Sequence, residues 1–337
     1  MIIAVDAAGG DYAPHEIVKG AMKASQEYGV DIALVGRSNI LHTMTGRYSR
    51  KHNISIVNAT EVINCDETPV KAVRSKPDSS IVVGINLIKE GEAAAFVSAG
   101  STGAVYCAAL LTLGKLNGIE RPAICSILDI TSKTPVLLVD AGANVDCRPS
   151  QLVEFANLGS IYAKHVLGID SPRVGLLSNG TEETKGNHLT LETFPLLKDT
   201  DLNFIGNIEG HDILKGTADV VVTDGFTGNV VLKALEGMGD TFQSRLSEVG
   251  QAVSNSHHVQ GRLLLSMVGL YSWARRMDYR KFGGACLLGV DGNIIIAHGR
   301  SQATAIKNAI GLAKQTAEGD ILRIIKENHH EQTDCPG

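Results

Sequence analysis

Five short loops of the sequence are rich in residue types that can hold a small oxyanion. Each loop follows a run of aliphatic residues and combines glycine with serine, threonine, asparagine or aspartate. They are Asp6–Asp11 (DAAGGD), Ser98–Ala104 (SAGSTGA), Asp140–Asp146 (DAGANVD), Ser178–Asn187 (SNGTEETKGN) and Thr223–Lys233 (TDGFTGNVVLK). Glycine lets backbone N–H groups come close to a ligand, and a helix N-terminus adds free N–H groups and a positive dipole end. The pattern predicts a site for phosphate or a related anion.

The loop SAGSTGA is the strongest candidate for this anion site. A strand is expected before it and a helix after it, and the hydroxyls of Ser98, Ser101 and Thr102 add further donors. The alternative is that such glycines only allow tight turns. The presence of several such loops in one chain favours a ligand site.

Charged residues in these loops could take part in catalysis. Lys185 could hold a phosphate or polarise a carbonyl, or it could be a solvated loop lysine. Aspartates at strand ends could orient a lysine, share a proton with phosphate, or cap helices. These are Asp6, Asp11, Asp140 and Asp224. They could also hold Mg²⁺, although no tight pair of aspartates supports that. His298, in the segment AHGRS, could face the same cleft or be a structural histidine.

Three motifs of other enzyme classes are missing from the sequence. There is no GxxxxGK[ST], which argues against a P-loop nucleotide hydrolase. No GxGxxG follows a predicted strand, so the usual NAD fingerprint is absent. No GxSxG elbow is present, so a serine hydrolase is unsupported.

The elements that must position the loops alternate between strand and helix, as in an α/β protein with a mostly parallel sheet. Strands are predicted at Met1–Val5, Ile32–Gly36, Ile54–Asn58, Ala94–Ser98, Val136–Val139, Val174–Leu177, Phe204–Gly206, Val220–Thr223, Leu287–Val290 and Ile294–Ala297. Helices are predicted at Ile17–Tyr28, Ser80–Lys89, Gly103–Leu113, Ser150–Leu167, Val230–Leu246 and Ser301–Ala317. Ligands in such sheets bind at the carboxyl ends of strands, which is where the loops lie.

The composition of the chain argues against several classes of protein. The chain has 337 residues, a net charge of −5, 44% hydrophobic residues and only 4% aromatic residues. The mild acidity argues against a nucleic-acid-binding protein. The N-terminus predicts no signal peptide, and the six cysteines form no CxxC pair, so reduced thiols are expected.

The segment His257–Lys281 has an apolar face too wide for a helix with one side in water, yet it is too short to cross a bilayer. It could be a core helix, a homodimer contact, a membrane-surface contact flanked by cations, or a docking site for an acidic protein. A helical hairpin formed by Val230–Leu246 and Val259–Ala274 could combine these roles. The residues predicted for a membrane or partner surface are Arg262, Leu263, Leu264, Met267, Leu270, Tyr271, Arg275 and Arg276.

The chain resembles the bacterial phosphate acyltransferase family of phospholipid synthesis (PlsX) over nearly its whole length. Seven stretches in family order carry the resemblance: AVDAAGGDYAP, VSAGSTGA, LVDAGAN, GTEETKGN, FIGNIEGHDI, TDGFTGNVVLK and DYRKFGGACLLGV. Three positions depart from the usual family residue. Ala8 replaces methionine, Ser101 replaces asparagine, and Cys286 replaces proline or serine.

The resemblance implies a three-layer α/β/α fold like that of isocitrate and isopropylmalate dehydrogenases and phosphotransacetylase, with two subdomains around a cleft and a protruding helical hairpin. We place the first subdomain at residues 1–120 plus 295–330. The second would span residues 121–294, with the hairpin at about 230–275, and residues 331–337 would form a flexible tail. A homodimer is implied, located in the cytoplasm and peripherally associated with the membrane. We expect no cofactor and no metal.

The resemblance also implies a reaction in which a fatty acyl group moves from acyl carrier protein to inorganic phosphate. The acyl phosphate would supply phospholipid synthesis through a downstream glycerol-phosphate acyltransferase. Phosphate is largely dianionic at neutral pH and a thiol leaves readily, so no protein nucleophile is needed. A phosphotransacetylase-like enzyme using acyl-coenzyme A, a dehydrogenase on the same fold and a non-catalytic membrane scaffold are the rival hypotheses.

Specific roles follow from these positions. SAGSTGA, with Gly9 and Gly10, would hold phosphate. Lys185 and Asn187 would stabilise the oxyanion, while Asp224 and Asn229 would position phosphate or the lysine. The predicted catalytic residues are Lys185, Asn187, Asp224 and Asn229. The predicted substrate-binding residues are Asp6, Gly9, Gly10, Asp11, Ser98, Gly100, Ser101, Thr102, Gly103 and Asn144.

Overall fold

The computed structural model describes residues 1–46, 53–128, 135–254 and 283–333. The strands are β1 (Ile2–Asp6), β2 (Asp31–Gly36), β3 (Ile54–Asn58), β4 (Ala95–Ser98), β5 (Ala123–Leu128), β6 (Val136–Val139), β7 (Val174–Leu177), β8 (Phe204–Ile208), β9 (Val220–Val222), β10 (Gly284–Leu288) and β11 (Asn293–Ala297). The helices are α1 (His15–Tyr28), α2 (Ser38–Thr45), α3 (Pro69–Ser75), α4 (Ser80–Lys89), α5 (Thr102–Thr112), α6 (Pro149–His165), α7 (His188–Lys198), α8 (Gly210–Lys215), α9 (Gly225–Ser254), α10 (Ala303–Glu318) and α11 (Ile321–Thr333).

The described strands form one 11-stranded mixed sheet in the order β3-β2-β1-β4-β11-β10-β5-β6-β9-β7-β8. Strands on each side pair in parallel, whereas the pairs β11–β10, β10–β5 and β5–β6 are antiparallel. The two parallel halves therefore run in opposite directions, and two central strands, β10 and β5, lie between them. The fold positions loops from both halves near that centre.

Two hydrophobic cores cover the two faces of the sheet, which gives three layers. One core contains buried residues of α1, α2, α6, α7, α10 and α11. The other contains buried residues of α3, α4, α5 and α8, with the partly buried Leu232 and Leu235 of α9 packed against it. The strands are buried on both faces, which explains why β6 (VLLV) and β9 (VVV) are continuous apolar runs.

Local sequence signals explain several helix boundaries. Pro69 occupies the first turn of α3, where the missing N–H costs nothing. The Ser79 hydroxyl caps α4 by accepting a hydrogen bond from the Val82 N–H. Gly29 ends α1 in the left-handed conformation, with φ 65°.

Most predicted elements occur in the structure with shifted ends. The predicted helix Ser80–Lys89 and strand Val174–Leu177 match α4 and β7. The prediction Val230–Leu246 is part of the longer α9. The helix α3 was predicted only by its start, where Thr68-Pro69 indicates an N-cap followed by proline at N1, and five described elements were not predicted: β5, α2, α7, α8 and α11.

The predictions of fold class, subdomains, C-terminal tail and helical hairpin differ in how far the structure tests them. The α/β class with a large mixed sheet is confirmed, whereas the dehydrogenase-like classification and the two-subdomain division stay predictions. The last helix, α11, extends through Thr333 into the predicted tail. The second arm of the predicted hairpin and the eight residues of the predicted membrane or partner surface lie outside the described residues. Among the helices that are described, none is both long enough and apolar enough to cross a membrane.

Candidate active site

A cavity of about 510 Å³ lies between α9 and the centre of the sheet. Loops from both halves contribute to it, together with β5, β10 and β11. Five of the predicted site residues line the cavity: Gly100, Ser101, Thr102, Gly103 and Asn229. Lining residues that the site prediction omitted include Cys65, Lys233, Glu236 and His298.

The start of α5 faces this cavity. Thr102 and Gly103 form the first turn of the helix, where N–H groups have no acceptor within the helix. The Ser101 side chain makes no capping hydrogen bond, so its hydroxyl is also available. These groups can bind an oxyanion because N–H donors, a hydroxyl and the positive end of the helix dipole point to one place.

Asp6 and Ser98 connect the glycine-rich loops after β1 and β4 through buried hydrogen bonds. The Asp6 carboxylate accepts hydrogen bonds from the Ala8 and Gly9 N–H groups, each at 3.0 Å, and from the Ser98 hydroxyl at 2.6 Å. The Ser98 oxygen accepts the Gly100 N–H at 3.0 Å. Asp6 and Ser98 are almost completely buried. Their observed contacts therefore organise the loops, and neither lines the cavity.

Gly9 and Gly10 fit closely against the loop that follows β4. A Cβ on Gly9 would lie 2.8 Å from the Gly100 nitrogen, and a Cβ on Gly10 would lie 3.0 Å from the Ala99 Cβ. Gly10 also has φ +104°, which side chains disfavour. The two glycines bring the loops after β1 and β4 into contact.

His298 follows β11 and faces the same cavity. Its Nδ1 accepts the Arg300 N–H at 3.2 Å, and its Nε2 lies 3.5 Å from a Glu236 carboxylate oxygen. The hydrogen bond to Glu236 raises the pKa of His298, while burial works against that shift. Asp11 reaches this region through its backbone, since its N–H donates to the Gly299 oxygen at 2.8 Å. The loops after β1, β4 and β11 thus form one end of the site.

Asp140 organises the loop after β6. Its carboxylate accepts hydrogen bonds from the Gly142, Ala143 and Asn144 N–H groups at 2.7 to 3.2 Å. Burial raises the pKa of Asp140, and these hydrogen bonds oppose the shift. The Asn144 amide donates to the Pro122 oxygen and to Asp140, both at 2.9 Å. Asn144 is buried behind the cavity, where it holds the loop.

Asp224 lies directly before α9, and Asn229 lies in the second turn of that helix. Asp224 accepts hydrogen bonds from the Thr227 N–H at 2.8 Å and the Thr227 hydroxyl at 2.7 Å. The capping alternative weighed for the aspartates therefore describes its observed contacts. Asn229 lines the cavity, and a Cβ on Gly142 would lie 3.5 Å from its side chain. Asn229 is thus the amide that α9 offers to a ligand.

Lys185 and Asn187 lie in the loop after β7 and do not line the cavity. The Asn187 side-chain oxygen caps α7, accepting from the Thr190 N–H at 2.9 Å and the Thr190 hydroxyl at 3.0 Å. Lys185 is exposed and its stem packs over Gly180. Beneath this loop, the Ser178 hydroxyl and the Asn207 side-chain oxygen are buried without a partner. The structure does not bring Lys185 and Asn187 to Asn229, and their catalytic roles stay predictions.

Comparison with known proteins decides the family. The sequence model of a family described as fatty acid synthesis protein matches residues 1–323. The chain belongs to this family. It is 56% identical over 333 residues to the phosphate acyltransferase of Dehalococcoides mccartyi, covering 99% of this chain and 96% of that protein. It is 48% identical to the phosphate acyltransferase of Desulforamulus reducens, covering 97% of this chain and 96% of that protein. The predicted family and the prediction of a transferase enzyme are confirmed.

Solved structures share the fold at low sequence identity. A phosphotransacetylase from Streptococcus pyogenes has a TM-score of 0.61 and 17% identity, covering 94% of both chains. A branched-chain phosphotransacylase from Enterococcus faecalis V583 has a TM-score of 0.58 and 14% identity, covering 94% of this chain and 99% of that one. These likenesses support the three-layer fold described above.

Glu236 and Lys233 are the lining residues that the sequence analysis missed most clearly. With Asn229 and Leu232, they repeat at the spacing of one helix face. This signal was available in the sequence, but the segment was interpreted as one arm of a hairpin. In this fatty acid synthesis family member, that helix face forms a wall of the candidate active site.

Proposed function

We propose that the chain transfers a fatty acyl group from the thioester of acyl carrier protein to inorganic phosphate. The observation that carries the proposal is one cavity with an anion-binding helix start at one end and aliphatic side chains along its floor. Phosphate needs the anion-binding helix start, and the acyl chain of the thioester needs the aliphatic floor next to it. The names of the relatives, phosphate acyltransferase, support the same chemistry.

Phosphate would bind at the start of α5. The N–H groups of Thr102 and Gly103 and the Ser101 hydroxyl would hold its oxygens. A free phosphate oxygen attacks the thioester carbonyl, the C–S bond breaks, and the products are an acyl phosphate and the thiolate of the carrier protein. The thiolate takes up a proton from solvent, since a thiol pKa is near 8.5.

Negative charge develops on the carbonyl oxygen during this attack and needs a donor. Asn229 lies beside Gly142 at the other end of the cavity, so we do not propose it as this donor. We keep Lys185 and Asn187 as proposed donors, because the Asn187 cap uses only the side-chain oxygen and leaves its NH₂ group available. The loop Ser178–Asn187 would have to carry them towards the cavity when the thioester binds. Asp224 would position Asn229 through the first turn of α9.

The assay that tests the proposal is thiol release from palmitoyl-acyl carrier protein in the presence of phosphate. The expected result is release that depends on phosphate and yields acyl phosphate, which hydroxylamine traps. No release under these conditions would refute the proposal. Absence of an absorbance change with NAD and small acids would exclude the dehydrogenase alternative.

A second candidate is the same transfer from acyl-coenzyme A. The likeness to phosphotransacetylase folds favours it as the alternative. The same assay separates the two, because the second candidate predicts a higher kcat/KM for palmitoyl-coenzyme A than for the carrier-protein thioester.

Homodimer formation, peripheral association with the cytoplasmic membrane, and delivery to a glycerol-phosphate acyltransferase are also proposed. The first two rest on the apolar and basic segment that contains Arg275 and Arg276, and the third rests on the family resemblance. Charge reversal at both arginines is expected to raise KM for acyl carrier protein or to release the protein from lipid vesicles. No effect on either measurement would refute the proposed surface.

A further inference from the structure

We infer that the acyl chain lies between α9 and the strands β5, β10 and β11, and that Ala285 sets the space available to it. This inference rests on the proposed function and adds where the chain is held. It is carried by the register of three strands and the spacing of residues on one helix.

The floor of the cavity is a row of side chains across the sheet. Ala285 of β10 pairs with Ser126 of β5 on one side and with Ile296 of β11 on the other. All three residues line the cavity. The row contains one hydroxyl, that of Ser126, and its centre is a methyl group. Because the side chain at the centre of this row is only a methyl group, a larger side chain at Ala285 would take up space inside the cavity.

The floor also extends along β5. Ile124 and Leu128 line the cavity and lie on the same face as Ser126, because side chains alternate along a strand. Ile124 and Leu128 are four residues apart, which is roughly 13 Å along an extended strand. Both side chains are buried in the core that α9 covers. The apolar floor is therefore longer than a short acyl group.

The roof is the inner face of α9. Leu232 and Leu235 line the cavity between Asn229 at one end and Glu236 at the other. These positions span two turns of helix, or about 10 Å. Leu232 and Leu235 also pack against the core on this face of the sheet. Aliphatic side chains thus enclose the middle of the cavity from above as well as from below.

Polar groups lie at both ends of this strip, and Ser126 and Lys233 are two polar side chains between the ends. Ile296 pairs with Ser98 of β4 on one side and with Ala285 of β10 on the other, so β4 and β11 end at the same level of the sheet. The loops that follow these two strands therefore meet the cavity at the end near Leu128 and His298. The loop after β6 meets it at the other end, where the Ala141 N–H donates to the Ile124 oxygen at 2.7 Å. A thioester bound beside Gly100–Gly103 would therefore direct its chain along β5 towards Ala141.

The test enlarges Ala285 and measures chain-length preference. Ala285→Leu adds an isopropyl group at the centre of the floor, and Ala285→Val is a smaller step that suits a strand. The matched control is Ala234→Leu, the same substitution at an exposed position of α9 that does not line the cavity. The substrates are butyryl- and palmitoyl-acyl carrier protein with phosphate, and the readout is the ratio of their kcat/KM values.

The expected result is a graded loss of preference for the long chain. Each excluded methylene changes affinity about fourfold, so Ala285→Leu should lower the palmitoyl-to-butyryl ratio by roughly 10- to 50-fold. Ala285→Val should give a smaller fall, and Ala234→Leu should keep the wild-type ratio. A wild-type ratio in both Ala285 variants would overturn the inference.

A binding measurement separates this inference from the proposed function. Palmitate is titrated into the wild type and the three variants by calorimetry, which needs no turnover. If the wild type binds palmitate, Ala285→Leu weakens binding and no thioester releases its thiol, then the chain site stands and the proposed reaction fails. Palmitate binding that is absent in the wild type, or equal in all variants, refutes the chain site.

Discussion

Removing the Ser98 hydroxyl should weaken the contact between the two glycine loops. In Ser98→Ala, the Asp6 carboxylate loses a hydrogen bond of 2.6 Å and the Gly100 N–H loses its acceptor at 3.0 Å. Asp6 keeps the Ala8 and Gly9 donors. A hydrogen bond to a charged group contributes about 1.5–3 kcal/mol, and a buried partner left without one adds to the loss. We expect the free energy of unfolding to fall by about 2–4 kcal/mol.

Urea denaturation measures this loss as a lower midpoint with an unchanged slope. The control is Ser101→Ala, where the hydroxyl makes no capping bond and the expected loss is under about 0.5 kcal/mol. Ser98→Ala should also raise KM for phosphate several-fold, because the loop that carries Gly100 is less well ordered. A stability within about 0.5 kcal/mol of wild type for Ser98→Ala would refute this account of the loops.

Three further predictions concern other contacts. Glu236 raises the pKa of His298, so their pair contributes stability that is complete below about pH 6.5 and is lost as the pH rises through the higher folded-state pKa. Glu236→Gln should therefore cost more at pH 6 than at pH 9 in urea denaturation, by less than about 1 kcal/mol because the histidine is partly exposed. Lys185→Ala should lower kcat by roughly 10²- to 10³-fold with no loss of stability, measured by thiol release and denaturation. Asp219→Ala should cost about 2 kcal/mol of unfolding free energy, because Arg173 donates to that carboxylate from its backbone and its guanidinium, each at 2.9 Å.

Each of these predictions has a result that would contradict it, and Asp219→Ala also has a matched control. An equal cost of Glu236→Gln at both pH values would mean that the histidine is uncharged in the pair. Unchanged turnover in Lys185→Ala would remove the lysine from the mechanism. The control Lys198→Ala breaks an exposed ion pair with Glu183 at 3.0 Å and should lower the free energy of unfolding by under about 1 kcal/mol. An equally small loss for Asp219→Ala would mean that the hydrogen bonds from Arg173 contribute no more than an exposed ion pair.

The sequence was sufficient for the parts of the site that depend on local structure. SAGSTGA predicts a strand, a glycine turn and a helix start, and the structure has β4, the loop and α5 in those places. Its glycines and hydroxyl side chains are residue types that mark an anion site without any knowledge of the rest of the fold. The same local logic includes helix capping among the alternatives for Asp224, and capping is what its contacts show.

The sequence could not predict parts that depend on distant partners. β5 (AICSIL) is buried on both faces and so lacks an alternating polar pattern, and Cys125 and Ser126 interrupt its aliphatic run. Asn187 follows a glycine-rich motif and resembles a ligand residue, but the helix it caps was not predicted because Pro195 interrupts the pattern. Which loops share the cavity depends on strand order, and strand order is not a local property.

The position of β11 has a consequence for synthesis of the chain on the ribosome. Ala95 of β4 pairs with Asn293 of β11, so one edge of β4 has its partner nearly 200 residues later in the sequence. At 5–20 residues per second, roughly 10–40 s pass between translation of the two strands. During that time the nascent sheet has an open edge beside the loop that will bind the anion, and β11 closes it only after almost the whole chain has been made. A nascent chain stalled before β11 therefore lacks both the cavity wall that contains His298 and the strand that covers this edge of β4.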